Sequence, residues 1–341
     1  MAVVKPFRAL RYGDAAEGTL QDLVAPPYDV IGEEQRAVLR ARSPHNVVHL
    51  TLPDSEEEAA RTVEEWRETG VLVEEPPAVW ALEQEYVGPD GVARTRFGVV
   101  ASLKVEPYET GTVLPHERTH RGPKEGRLRL LKATRVQLEP IFLLYDGAAP
   151  VGRPDREPDL AVEGAKLWRV DDPAVVRFFD DKQLLIADGH HRYETAVAFA
   201  AEEGTPASAL LPVVLVSTDD PGLEIFPTHR LFAEPRRLEG APGGERTVLE
   251  VTREGEREVG VPDGMLDVHL VDSLGHDGIS YTASEEEARR AVEAGEAAVA
   301  YILQATRIED VFAYARRGEV LPQKTTYFFP KLISGLLFHP L

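Results

Sequence analysis

The stretch KQLLIADGHHRYETAVAFAAEEG, residues 182–204, decides the reading of this chain. Leu184 to Ala187 are apolar and few enough for a short buried strand. Asp188-Gly189 is turn chemistry. Beyond it Tyr193, Ala196, Val197 and Ala200 recur at helical spacing, and Gly204 closes the period. The segment therefore reads as strand, tight turn, helix. A helix that starts straight after such a turn leaves backbone N–H groups pointing outward. Those groups and the helix dipole attract a phosphate. Gly189 lets a ligand approach the backbone closely, and His190, His191 and Arg192 add side-chain donors at the same place. Arg192 can grip a phosphate with two hydrogen bonds. Positive charge at a helix start opposes the dipole, so stability by itself does not select these residues. The competing reading is a plain Asp-Gly turn whose histidines bond nearby carbonyls.

Outward from this unit, strands and helices mix throughout. Residues 32–42 and 55–69 read as helices, the second opening at Ser55 with acids in its first turn. AVWALEQEYV (78–87) and RTRFGVVASLKV (94–105) flank Gly88-Pro89-Asp90-Gly91 and read as a hairpin. Residues 123–137 read as a helix from Pro123, and EPIFLLY (139–145) as a buried strand. Residues 146–159 are a Pro/Gly/Asp loop. LLPVVLVST (210–218) and GLEIFPTHRLF (222–232) read as one strand each. Past the loop 234–246 come a strand, a helix at 285–294, a strand at 297–303 and a helix at 307–316. LPQKTTYFFPKLISGLLFHPL (321–341) fits no simple period. The expected fold is α/β with a mixed sheet. Its domains are a lobe over 1–235 carrying the phosphate site, an accessory α/β segment over 246–320, and a tail over 321–341 packing back on the first lobe.

The chain has 341 residues, 43% of them hydrophobic and 28% charged, as expected of a globular protein with a sizeable core. Cysteine is absent, which excludes disulfides, thiolate zinc sites, iron–sulfur clusters and a cysteine nucleophile. No run of eighteen apolar residues marks a membrane span, and the N-terminal stretch lacks the apolar core of a signal peptide. A cytoplasmic protein is expected. The formal charge of −20 disfavours nucleic acid and anionic membrane as partners. One segment runs against that charge: seven basic residues lie between Arg118 and Arg135, against the single acid Glu125. On a helix from 123, Lys124, Arg127 and Arg135 fall near one face and could line an anion site. A solvated basic face is the competing reading. Thr228-His229-Arg230 is a third basic point, and Lys324 with Lys331 a fourth.

His116-Glu117-Arg118-Thr119-His120 matches the H-E-x-x-H pattern of zinc proteases. That chemistry needs both histidines on one face of a helix. Pro115 precedes the motif and Gly122-Pro123 closes it, so a helix has room for only about six residues. No zinc is expected. Asp29, in VAPPYDVIG after two prolines, could take a proton from a hydroxyl, or could cap the helix that begins near Glu33.

VAPPYDVI, PHNVVHL, LPHERT with GRLRLLKAT, IADGHHRYETA, FPTHR and PQKTTYFFPKLISGL resemble, in order, the successive motifs of the family called domain of unknown function 1015. The resemblance runs from about residue 6 through the tail. In that family's pattern a second histidine at position 120 has no place, which weighs further against zinc. DGHHRYETA is similar, more remotely, to the phosphate-binding turn of the ParB–sulfiredoxin superfamily, which includes archaeal kinases of free serine. That resemblance implies a ParB–sulfiredoxin-like lobe in which Gly189, His190, His191 and Arg192 cradle phosphoryl oxygens. It also implies an N-terminal carboxylate that activates a substrate hydroxyl, for which Asp29 is the candidate. Together these expectations make the protein a phosphotransferase acting between ATP or ADP, with magnesium, and a small hydroxyl compound such as free serine. A small-molecule phosphatase and a non-catalytic nucleotide-binding protein are the alternatives. The expected catalytic residues are Asp29, Glu117 and His191. The expected phosphate-binding residues are Asp188 to Arg192 with His116, Lys124, Arg127, His229, Arg230 and Lys324. Magnesium would bridge the phosphates with Asp188 or Glu117 nearby, and an oligomer is left open.

Overall fold

The structure is a computed structural model that describes residues 1–117, Thr119, 121–239 and 246–341, with Arg121 and Pro123 described by their backbone alone. Among these residues nine strands form one mixed sheet. Its order is Val113–Leu114, Leu184–Asp188, Ile141–Tyr145, Leu210–Ser217, Ala93–Lys104, Val79–Val87, Ala165–Val170, Leu160–Val162, with Val4–Lys5 added beside Ala93–Lys104. Leu184–Asp188 runs parallel to Val113–Leu114, and Leu210–Ser217 parallel to Ile141–Tyr145. The remaining pairs in this sheet are antiparallel.

Both faces of the central strands are buried, which is why IFLLY and LLPVVLV read as unbroken apolar runs instead of alternating ones. Side chains still alternate between faces. Ile141, Leu143, Leu184, Ile186, Val213 and Leu215 pack with Tyr193 and Ala196 of the helix His190–Glu203 and with Val175 and Phe179. Phe142, Leu144, Leu185, Val214 and Val216 face the other way and meet Phe328, Leu332 and Leu336 of the tail. The same apolar cluster continues into a second sheet through Phe232 and Val299, and onto Phe312 of the helix Ile308–Arg316.

That second sheet is antiparallel, ordered Gly255–Gly260, Thr247–Thr252, Val299–Ile302, His229–Phe232, Ile279–Thr282. The single strand expected over 222–232 is thus two. Glu224–Phe226 pairs with Tyr327–Phe329 of the tail, and His229–Phe232 enters the second sheet. Pro227, which cannot donate to a ladder, lies at the break. The strand 229–232, inside the span assigned to the first lobe, pairs with strands of the 246–320 segment.

Several expected elements are present: Glu33–Arg42, Glu56–Glu68, Glu285–Ala294 and Ile308–Arg316 are helices. Ser55 caps the second of these by accepting from the Glu58 N–H at 3.1 Å. The helix expected over 123–137 spans Arg121–Thr134 and stops there because Arg135 has φ 55°, a left-handed conformation that ends the run. Gly32, not Asp29, precedes the helix at Glu33, so the capping role weighed for Asp29 does not occur. The tail lacks a period because each short piece is held by a different element. Tyr327–Phe329 lies on Glu224–Phe226, Ser334 bridges Ala25, Phe338 bridges Leu10, and His339–Pro340 pairs with Val136–Gln137.

Candidate functional site

The strand Leu184–Asp188 ends at Gly189, whose φ is 99°, and the helix His190–Glu203 starts at the next residue. A β-carbon on Gly189 would lie 2.6 Å from Cγ2 of Ile141 on the neighbouring strand, so both the turn and the packing demand glycine. No side chain caps the helix start. The turn faces a cleft of about 820 Å³. Its walls come from four places: Tyr28 to Val30, Ala187 to Arg192, the edge of the second sheet at Tyr281 to Ser284 with Glu287, and tail residues Lys324, Thr326, Tyr327, Phe328 and Lys331. Glu117, Thr228 and Pro89 complete it.

Of the residues expected at the site, Asp29, Glu117, Asp188, Gly189, His190, His191, Arg192 and Lys324 line this cleft. His116 sits directly behind it, 1% exposed. Its chain is extended, with Leu321 donating to the His116 carbonyl at 2.8 Å and Glu117 bridging Leu321. The helix begins only at Arg121, so His116 is not on a helix, as the first histidine of a zinc protease motif must be. His120 lies outside the described residues, as does Arg118. Among the described residues no group of three histidine or carboxylate side chains gathers as a metal site.

Lys124, Arg127, His229 and Arg230 do not line the cleft. Lys124 pairs with Glu194 at 2.6 Å, and Arg129, Lys132 and Arg135 pair with Glu56, Glu202 and Glu203. The basic helix thus meets acids on neighbouring helices, which the local sequence could not reveal. Arg127 lies over the Tyr28 ring, 3.6 Å from its centroid, and donates to the Thr51 carbonyl at 2.8 Å. It braces the turn that carries Asp29. His229 is buried and accepts from the Leu303 N–H at 3.2 Å. Arg230 is fully buried, paired with Asp272 at 3.2 Å, and donates to the carbonyls of Thr228, Gln323 and Lys324. It holds the backbone at Lys324, whose φ of 56° is unusual for a side-chain-bearing residue. Its basic charge therefore serves the wall from which Lys324 projects.

At the centre stands a network that the sequence reading did not assemble. Asp188 accepts from Arg192 at 2.7 Å on one oxygen and from Lys331 on the other. The Lys331 ammonium also lies 3.7 Å from an Asp29 oxygen. Arg192 donates in addition to the Pro140 carbonyl, so much of its guanidinium is engaged inside the protein. Burial pushes the Asp188 carboxyl up, but Lys331 and Arg192 outweigh it and hold it below the usual carboxylate range. Burial pushes Lys331 down, and Asp188 and Asp29 outweigh that in turn, so the ammonium is held more tightly than usual. Each Asp188 oxygen therefore already accepts from a cationic side chain. Lys331 is the member of this network that the expected catalytic and phosphate-binding residues did not include. Its one sequence signal is a basic side chain inside an aromatic stretch punctuated by proline and glycine.

The two histidines are neutral. Burial pushes His116 down to about 4, and burial followed by the nearness of His116 pushes His190 well below its ordinary value. Their rings meet edge-on with centroids 4.7 Å apart.

An α/β protein with a strand–glycine–helix turn facing a cleft lined by Asp29, Lys324 and Lys331 is the class that fold and site define. The chain belongs to the family described as Protein of unknown function (DUF1015), which matches residues 4–243. No curated protein sequence matches it. Among solved structures it is similar to a free serine kinase in complex with AMP, at 18% identity over 66% of this chain and 89% of that one, with a TM-score of 0.40. A mutant of free serine kinase in complex with ADP gives 17% identity over the same shares and a TM-score of 0.41. SbnI with C-terminal truncation from Staphylococcus aureus gives 12% identity over 67% and 84%, with a TM-score of 0.40. Likeness at this level carries no functional argument. No helix among the described residues is long and apolar enough to cross a membrane.

Proposed function

We propose that this protein is a phosphotransferase that moves a phosphoryl group between a nucleotide and a small hydroxyl compound, with free serine or phosphoserine the leading choice. The observation that carries this reading is the meeting of an uncapped helix start, Lys324, Lys331 and the carboxylate of Asp29 in one cleft, in a chain of net charge −20. Phosphoryl transfer asks little covalent work of a protein; it asks for positioning and for neutralisation of phosphate charge. Phosphoryl oxygens would rest on the N–H groups at the start of the helix, with Lys324 reaching in from the tail. Asp29, with its side chain 41% exposed, would take the proton of the substrate hydroxyl as that oxygen attacks phosphorus and the bond to the nucleotide's leaving oxygen breaks. Lys331, between Asp29 and Asp188, would hold that carboxylate in place. The choice of serine rests on the sequence resemblance to free-serine kinases and is a matter for direct assay.

The test pairs binding with turnover. Calorimetry should register ADP or ATP, and phosphorus NMR should show phosphoserine forming from serine only when nucleotide is present. Asp29→Asn should abolish turnover and leave nucleotide binding intact. Phosphate release from phosphoserine without any nucleotide would favour the phosphatase alternative. A protein that binds no nucleotide would end the reading.

A further inference from the structure

The hydrogen bonds around His116 fix the polarity of one wall of the cleft. Nδ1 of His116 lies 2.7 Å from the Ile186 carbonyl oxygen. A carbonyl can only accept, so Nδ1 carries the proton. The ring is buried and neutral, so Nε2 carries a lone pair. Thr326 Oγ1 lies 2.9 Å from Nε2, and the hydroxyl must spend its single proton there. What remains on Thr326 is acceptor capacity alone, and Thr326 lines the cleft. His190, itself on the cleft wall, repeats the logic. Its Nε2 accepts from the His116 backbone N–H at 3.3 Å, which leaves its own proton on Nδ1.

We infer that Thr326 is a selectivity residue, an obligate acceptor on the tail wall. The ligand atom seated there bears a proton, an alcohol or an ammonium, and an unprotonated phosphoryl oxygen is excluded. Such an oxygen placed against Thr326 would set lone pair against lone pair, with no donor between them. The cleft is thereby divided. Its donors, the helix start and Lys324, face the phosphate. The acceptor Thr326 faces the small molecule that gives or receives it. This assignment rests on the phosphotransferase reading for the identity of the guest, whereas the polarity of the wall follows from the geometry of His116 alone.

The experiment has two arms. Long-range nitrogen–proton NMR on imidazole-labelled, ligand-free protein reads the tautomer directly, and the expected state of His116 is a protonated Nδ1 with a bare Nε2. Calorimetry then compares wild type, Thr326→Val and Thr326→Ser with serine, ethanolamine and sulfate as probes, sulfate standing in for a phosphoryl group that carries no proton. Thr326→Val should weaken the amino alcohols roughly fivefold, the loss of one neutral hydrogen bond, and leave sulfate unchanged or tighter, while Thr326→Ser restores the wild-type pattern. A proton on Nε2 of His116, or a Thr326→Val variant that loses sulfate affinity, overturns the inference, since either would make Thr326 a donor. Amino alcohols that bind wild type and Thr326→Val equally overturn it as well. The tautomer arm uses no ligand, so a failure of the phosphotransferase reading stays separate from a failure of this one.

Discussion

Replacing Lys331 by methionine keeps the length of the stem and removes one of the two cations on Asp188. A charged hydrogen bond contributes roughly 1.5–3 kcal/mol. Orphaning a buried charge outright costs roughly 3–5 kcal/mol. Asp188 would keep Arg192 at 2.7 Å on its other oxygen, so the cost belongs to the lower range, about 2 kcal/mol. The assay is urea denaturation of wild type, Lys331→Met, Asp188→Asn and the double variant, combined as a cycle. The expected coupling between the two sites is about 1–2 kcal/mol. The sign of the pH effect also follows. In the wild type Asp188 is held below its unfolded value, so its contribution is present above about pH 4 and lost as pH falls through the depressed value. In Lys331→Met the upward push of burial is opposed by Arg192 almost alone, and the loss on acidification should set in at a higher pH. A coupling under about 0.5 kcal/mol, or identical acid profiles, would refute the view that Lys331 and Asp188 form one buried unit.

Two further outcomes are expected. Gly189→Ala combines a φ of 99° with a β-carbon 2.6 Å from Ile141 Cγ2, and should destabilise the fold by about 2–3 kcal/mol in the same urea assay; a change under about 0.5 kcal/mol would mean that the turn differs from the one described. His116 and His229 both sit near 4 in the folded chain and near 6.5 when unfolded. The unfolded chain therefore binds protons first, and stability should be level above about pH 7 and fall between about 6.5 and 4, by up to about 3 kcal/mol for His116. Equal stability at pH 7 and pH 4.5 would contradict a neutral, buried His116.

The parts of the molecule governed by local rules were legible in its sequence. The strand–turn–helix at 184–203 announced itself because one face of the helix must be apolar at a fixed period and Gly189 must take a conformation that few residues adopt. Ser55 marked its helix because a hydroxyl three residues before an exposed N–H is how helices begin. The anion-site reading of Lys124 and Arg127 found no such support. Their partners, Glu194 and the Tyr28 ring, arrive from distant segments, and a charge run does not say which acids will meet it. Lys331 stood out as a basic point, but its partner was hidden for the same reason. It reaches Asp188 across 143 positions of sequence, from a tail whose short pieces follow no period. Arg230 looks like a ligand residue in FPTHR, yet it is buried and serves three backbone carbonyls.

That tail has a consequence for how the protein is made. Leu10 waits for Phe338, Ala25 for Ser334, and Asp188 for Lys331. A ribosome that has delivered the first 300 residues has delivered the glycine turn, the site helix and nearly all of both sheets, but none of the tail wall. Contacts of such sequence separation form late, because the chain between them must be closed first. The nascent chain therefore carries Asp188 with only Arg192 beside it and an apolar sheet face still open to water, an exposed surface of the kind that chaperones bind. Completion of the cleft and burial of that face become a single event, set by the emergence of residues 324–340.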